Sequence, residues 1–233
     1  ITVTPKRPLH GCVHRVIPDR IVAATVLAAA AATGGSVTLR RCVPDHLEPV
    51  LEVLARAGCR IRREGPAALT LEAPARLAGA GWVTAGAYPA FPTDAAPVLA
   101  AAFLTAAGPS YFEDTVFEHR FGCAAGFTAL GGRAKVRGRL LELAPADQLR
   151  GAAVSAADLR GGAALAVAAL QAQGKSTIAQ AGYIRRGYGD LAALLRSLGA
   201  RAEWEGKTER ENEGKRRTKP EKYFSEAGGI SLP

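Results

Sequence analysis

The sequence predicts an α/β fold built from repeated βαβαββ units, with the helices packed inside and the sheets outside. Three observations carry that prediction. A turn bearing Pro or Asp opens an alanine-rich helical stretch three times, in "PDRIVAATVLAAAAATGG" from Pro18, "PTDAAPVLAAAFLTAAG" from Pro92 and "ADLRGGAALAVAALQAQG" from Ala157. Each stretch closes at glycine and leads into a strand-like segment, "SVTLRRC", "PSYFEDTVF" or "KSTIAQAGYI". Self-similarity of this kind marks a repeat architecture, and alanine in such number lets several helices approach closely in one shared core.

The elements follow in order. Before the first helix stand only "ITVTP" and "HRVIP", so a strand is expected to be missing at the front. The first unit, about residues 1–85, continues with "PDHLEPVLEVLARAG", whose apolar residues recur at three and four positions before a closing glycine, and with the strand pair "CRIRRE" and "ALTLEA". The second unit, about 86–150, opens at "FPTD". Cap preferences make Thr93 the N-cap and Asp94 a first-turn acid, and Pro97 is tolerable this near a helix start. Its closing strands are "AKVRG" and "LLELA". The third unit, about 151–206, has a second helix in "YGDLAALLRSLGA" and stops at "RAEWEG" without a final strand. From Lys207 the chain alternates charge sign and loses apolar periodicity, and 207–233 is expected to be a disordered tail. Starting at Ile1 rather than Met, the chain reads as the back part of something longer, with a facing N-terminal domain absent.

Charge and cysteine usage narrow the function classes. The net charge is +9, yet arginine is scattered singly or in pairs through different elements and aromatics make up only 6% of the chain. A nucleic-acid module presents a contiguous basic stripe with stacking aromatics. Scattered arginine suits small phosphorylated or carboxylated ligands, which a guanidinium fork holds through two bonds. Cys12, Cys42, Cys59 and Cys123 form no C-x-x-C pair, which reads as reduced, cytosolic thiols, and the longest apolar run, "IVAATVLAAAAA", is shorter than a bilayer crossing. A soluble, cytoplasmic protein with no membrane partner is expected.

Candidate chemistry gathers at the helix openings, where unpaired N–H groups favour anions. Asp94 sits at the second. Asp158 and Arg160 sit at the third, where an arginine opposes the helix dipole unless it holds an anion. The Gly161-Gly162 pair beside them costs roughly 1 kcal/mol per glycine inside a helix and points to close ligand approach. His119 and Arg120 follow an extended segment in "TVFEHRFG", and Arg185 and Arg186 stand between a strand and a helix in "YIRRGYGD". Taken singly, each reads as well as a cap, a solvated loop or a basic surface pair.

Together, in this order, they resemble the C-terminal part of the UDP-N-acetylglucosamine 1-carboxyvinyltransferases, from about residue 8 to 206, through "VIPDRI", "YPAFPTD", "TVFEHRF", "DLRGGAAL" and "RGYGDLAALLRSLGA". The F-P-T-D corner and the R-G-Y turn favour this family over its sister, the 3-phosphoshikimate 1-carboxyvinyltransferases. The resemblance implies the inside-out α/β barrel domain of the enolpyruvate transferases. It also implies transfer of the enolpyruvyl group of phosphoenolpyruvate to the 3-hydroxyl of UDP-N-acetylglucosamine, in peptidoglycan synthesis, without metal or organic cofactor. Asp94 would be the general base at the sugar hydroxyl, and Val116 would touch the sugar nucleotide through its backbone. Arg120, Arg160 and Arg186 would line the cleft, the last two holding the carboxylate and phosphate of phosphoenolpyruvate; Arg20 is a weaker cleft candidate. His119 replaces the family's asparagine, Arg185 its aspartate and Ala95-Ala96 its Met-Gln, while "GCAAGFTALGG" replaces a more polar segment. No cysteine lies in a loop matching the family's reactive cysteine, which belongs to the facing domain. Two other readings stay open: a non-catalytic binding or structural fragment, and the phosphoshikimate enzyme.

Overall fold

A computed structural model describes residues 10–205 and 229–232. The first helix, α1 (Arg20–Ala32), leads into β1 (Ser36–Arg40), a 3-10 turn at Pro44–Leu47, α2 (Glu48–Arg56), β2 (Arg60–Arg63) and β3 (Ala68–Glu72). Next come β4 (Gly81–Gly86), β5 (Phe91–Pro92), α3 (Ala96–Ala102), β6 (Ser110–Asp114), α4 (Ala124–Ala129), β7 (Arg133–Arg137) and β8 (Leu140–Ala144). The last run is β9 (Leu149–Arg150), β10 (Ala153–Ser155), α5 (Leu159–Ala169), β11 (Ala172–Gln173), β12 (Ser176–Ala179), α6 (Gly182–Tyr188), α7 (Leu191–Ser197), β13 (Glu203–Glu205) and β14 (Gly229–Leu232).

The alanine-rich helices α1, α3 and α5 pack against one another at the centre. Every residue of α3 is buried, which its alanines and single Leu99 allow without pushing the neighbouring helices apart. Around this core lie sheets in the orders β1-β3-β2, β5-β4-β6-β8-β7 and β10-β12-β14-β13, with β9 and β11 as a short parallel pair. Their inward residues, such as Leu69, Leu71, Leu141 and Ile178, are fully buried. The fold is therefore α/β with helices inside and sheets outside, as the sequence predicts.

In the second and third sheets one pattern recurs. A strand pairs in parallel with the strand that follows the core helix, β4 with β6 and β10 with β12, as a helical crossover requires. Because β4 spans Gly81–Gly86 and pairs with β6, a unit boundary placed at about residue 85 cuts through a strand of the second sheet. In the first sheet that parallel partner is missing among the described residues. As expected from the short stretch before the first helix, "HRVIP" forms no strand and is coil, with Val13, Val16 and Ile17 exposed at 105%, 80% and 63%; "ITVTP" lies outside the described residues.

The expected disordered tail requires a correction at its end. Residues 229–232 form β14, antiparallel to both β12 and β13, in the position that β3 and β8 hold in their own sheets. The third sheet thus does have its final strand. Without β14 the facing edges of β12 and β13 would leave backbone donors and acceptors unpaired, and "GISL" offers a short run of β-compatible sequence to meet them. Residues 207–228 and 233 lie outside the described residues.

Among the described helices none is long and apolar enough to cross a membrane. Cys42, Cys59 and Cys123 are buried and Cys12 is exposed. Burial pushes the Cys59 thiol up to about 11, and burial with the nearby Asp158 charge pushes Cys123 up to about 12. A thiol reagent at neutral pH is therefore expected to label one cysteine rapidly in the native chain and four after denaturation. More than one fast equivalent would contradict the packing described.

Candidate active site

The second helix begins differently from its two relatives. Asp19 caps α1, its Oδ1 accepting from the Ile21 and Val22 N–H groups at 2.7 and 3.3 Å, and Asp158 caps α5, accepting from Gly161 N–H at 2.8 Å. Helix α3 has no side-chain cap; its N-cap is Ala95, and Thr93 and Asp94 form the turn before it. The reading of Thr93 as N-cap is thus corrected by two residues. Forgoing an Asp cap costs a helix about 1 kcal/mol, and here the carboxylate is occupied elsewhere. Asp94 Oδ2 lies 2.8 Å from Arg160 Nη2 and its Oδ1 lies 3.2 Å from Arg120 Nη2.

Arg160 comes from the first turn of α5, and the anion that offsets its unfavourable place at a helix N-terminus is Asp94 itself. Burial opposes the Arg160 charge, but Asp94 and Tyr188 outweigh it and hold the guanidinium above its ordinary value. One of its nitrogens, Nη1, is buried with no hydrogen-bond partner among the described residues.

The glycine pair after Arg160 has a packing cause rather than the expected ligand one. A Cβ at Gly162 would lie 2.9 Å from both Ala156 Cβ and Ile184 Cγ1, so only glycine lets α6 close on α5. Gly161 sits against the capping carboxylate of Asp158.

Arg120 is held from three sides. Besides Asp94, its Nε lies 3.4 Å from Asp114 Oδ2, and its guanidinium stacks 4.1 Å above the Phe117 ring. Asp114 is wholly buried at the end of β6, and its Oδ1 accepts from the Val116 and Phe117 N–H groups at 2.9 and 2.7 Å. It therefore shapes the loop that presents Val116 and anchors Arg120, yet sequence reasoning passed over it. The available signal was an aspartate two residues before Val116, a spacing at which Asx side chains bond the backbone ahead of them.

Asp94, Val116, Arg120, Arg160 and Arg186 all line one open cleft of about 720 Å³, together with Phe117, Glu118, His119, Asp158 and Leu159. Arg186 reaches it from the last turn of α6, not from a strand-to-helix turn as expected. Its neighbour Arg185 instead lies 4.2 Å over the Trp204 ring. Arg20 is elsewhere: it stacks 5.2 Å from the Tyr88 ring and lines a separate depression between α2 and β4. No cluster of three or more His, Cys, Asp or Glu that could hold a metal occurs among the described residues.

The family model for EPSP synthase (3-phosphoshikimate 1-carboxyvinyltransferase) matches residues 1–195. The chain belongs to the EPSP synthase family. Within that family it is 42% identical over 199 residues to a UDP-N-acetylglucosamine 1-carboxyvinyltransferase of Desulfofundulus thermocisternus, covering 83% of this chain and 79% of that protein. It is 40% identical over 203 residues to the protein of the same name from Dichelobacter nodosus (strain VCS1703A), covering 87% of this chain and 48% of that one. The chain thus spans about half the length of this and other curated relatives that it matches. Among solved structures, the crystal structure of the enolpyruvyl transferase NikO from Streptomyces tendae matches with a TM-score of 0.70 and 30% identity, over 80% of this chain and 44% of that one. EPSP synthase from Acinetobacter baumannii matches with a TM-score of 0.62 at 14% identity, over 92% of this chain and 45% of that one, a likeness of fold alone.

Proposed function

We propose that this chain is one half of a UDP-N-acetylglucosamine 1-carboxyvinyltransferase. It would transfer the enolpyruvyl group of phosphoenolpyruvate to the sugar 3-hydroxyl, release phosphate and serve peptidoglycan synthesis in the cytoplasm. The observation that carries the proposal is the Asp94 carboxylate. It is withdrawn from capping α3 and held between Arg120 and Arg160 at the mouth of a cleft, within a chain about 40% identical to proteins bearing that name.

In this reading Arg160 and Arg186 take the carboxylate and phosphate of phosphoenolpyruvate, since a guanidinium stays charged and binds either group through two bonds. The arriving anion competes with Asp94 for Arg160. Asp94, released, faces the sugar hydroxyl and removes its proton as the oxygen bonds to the central carbon of the enolpyruvyl group. A proton delivered to the methylene carbon completes a tetrahedral adduct. Its loss together with phosphate restores the double bond. The family resemblance implies that a reactive cysteine of the facing half delivers that proton, and no cysteine here takes its place: Cys42, Cys59 and Cys123 are buried and Cys12 does not line the Asp94 cleft. Val116, half exposed at the cleft edge, contacts the sugar nucleotide through its backbone.

A missing half is supported by the outer edge of β1, unpaired among the described residues, and by the exposed Val13, Val16 and Ile17 just before α1. The family model's own description favours a second acceptor, 3-phosphoshikimate. A competition assay with the chain joined to its facing half separates the two. UDP-N-acetylglucosamine is expected to be consumed at least a hundredfold faster than 3-phosphoshikimate; the reverse preference would overturn the assignment of substrate. A difference of that size is about 2.7 kcal/mol of transition-state binding.

A further inference from the structure

A link outside the roles assigned above joins α1 to the cleft. Thr25, in the second turn of α1, is 1% exposed, and its Oγ1 lies 2.9 Å from the Ile21 carbonyl oxygen and 2.8 Å from the Tyr188 hydroxyl. A threonine hydroxyl has one hydrogen to donate. The Ile21 carbonyl can only accept, so that hydrogen goes to it. Tyr188 must then donate its own hydrogen to Thr25, which leaves the phenol oxygen with acceptor capacity alone. The group beside it is rich in donors: the Arg160 guanidinium carbon lies 5.9 Å from the Tyr188 ring centre, and interaction with the phenol favours the arginine's charge.

The backbone holds this pair in register. A Cβ at Gly187 would come within 2.9 Å of Leu159 Cδ1, so glycine before Tyr188 lets the last turn of α6 close on the first turn of α5, which carries Arg160. The guanidinium is thus gripped by Asp94 and flanked by Tyr188, and its Nη1 is buried with no hydrogen-bond partner among the described residues.

We propose that Tyr188, braced by Thr25, is the positioning residue of Arg160, keeping its guanidinium turned toward the cleft when a carboxylate or phosphate ligand displaces Asp94. This rests on the reading of Arg160 as an arginine for the phosphoenolpyruvate anion. A guanidinium loosened from both neighbours would have to be reordered on binding, and that cost would fall on the anionic donor and not on the sugar nucleotide.

Calorimetry on the chain joined to its facing half tests the link, with melting temperatures recorded to confirm folding. Tyr188→Phe and Thr25→Val are each expected to weaken phosphoenolpyruvate about tenfold, while UDP-N-acetylglucosamine affinity stays within about twofold. The double variant should also lose about tenfold rather than a hundredfold, because both changes cut one link. Arg160→Ala should lose at least a hundredfold. Should Arg160→Ala weaken the donor while Tyr188→Phe and Thr25→Val do not, the positioning role is overturned and the anion reading stands. Equal loss of both ligands in Tyr188→Phe or Thr25→Val overturns it in favour of a general packing role. Unchanged phosphoenolpyruvate affinity in Arg160→Ala overturns the proposal together with the reading beneath it.

Discussion

Asp114→Ala is expected to destabilise the chain by about 3–5 kcal/mol, the cost of breaking a buried ion pair from one side. Asp114 is wholly buried, and its partner Arg120 keeps only 12% of its side chain exposed. Removing the carboxylate takes the acceptor from the Val116 and Phe117 N–H groups and leaves the Arg120 guanidinium with Asp94, the Thr93 hydroxyl at 3.5 Å and the Phe117 ring. Asp114→Asn retains an oxygen for the two N–H groups and should lose less. Urea denaturation monitored by circular dichroism reads both variants. A loss under about 1 kcal/mol in Asp114→Ala would mean that the loop after β6 is ordered by something other than this residue.

Asp94→Asn is expected to lower kcat by roughly 10²–10⁴, the usual contribution of a positioned general base. Its second effect has the opposite sign. The carboxylate now neutralises Arg120 and Arg160 in the unliganded site at 3.2 and 2.8 Å. An uncharged amide competes poorly for those guanidinium groups, so phosphoenolpyruvate should bind more tightly and its KM should fall. A residue that merely held the fold together would not split the two parameters in this way. Steady-state kinetics with each substrate varied in turn distinguishes the cases, and a fall in kcat accompanied by a rise in the donor KM would contradict the competition described.

The repeat, the core helices and most strands were legible because alanine-rich runs and glycine stops recur in the sequence at corresponding places. What escaped was whatever depends on contacts far along the chain. Local cap preference names Thr93 as the start of α3, but the helix begins later because Arg120 and Arg160, distant in sequence, claim Asp94. The Gly161-Gly162 pair reads in sequence as room for a ligand, but Gly162 is needed for Ile184 on α6 and Gly161 sits against the capping Asp158 carboxylate. "HRVIP" is coil, and the outer edge of β1, where the repeat would place a parallel strand, stays unpaired among the described residues. β14 lies beyond a long charged stretch that offers no periodicity, so its place beside β12 could not be read locally. The five candidate site residues were singled out through a family resemblance spanning several motifs; no single motif would have distinguished Asp94 from an ordinary first-turn acid. Asp114 was missed because a buried carboxylate at a strand end looks, in sequence, like any polar residue entering a loop.

Asp94 and its arginines are proposed to form half of a site that only a facing domain completes. Phosphate release from phosphoenolpyruvate in the presence of UDP-N-acetylglucosamine, measured for the 233-residue chain alone and for the same chain joined to its facing half, tests it most directly. No turnover by the chain alone is expected, with turnover by the joined protein and its loss in Asp94→Ala. Turnover by the isolated chain, or undiminished phosphate release in the joined Asp94→Ala variant, would contradict it.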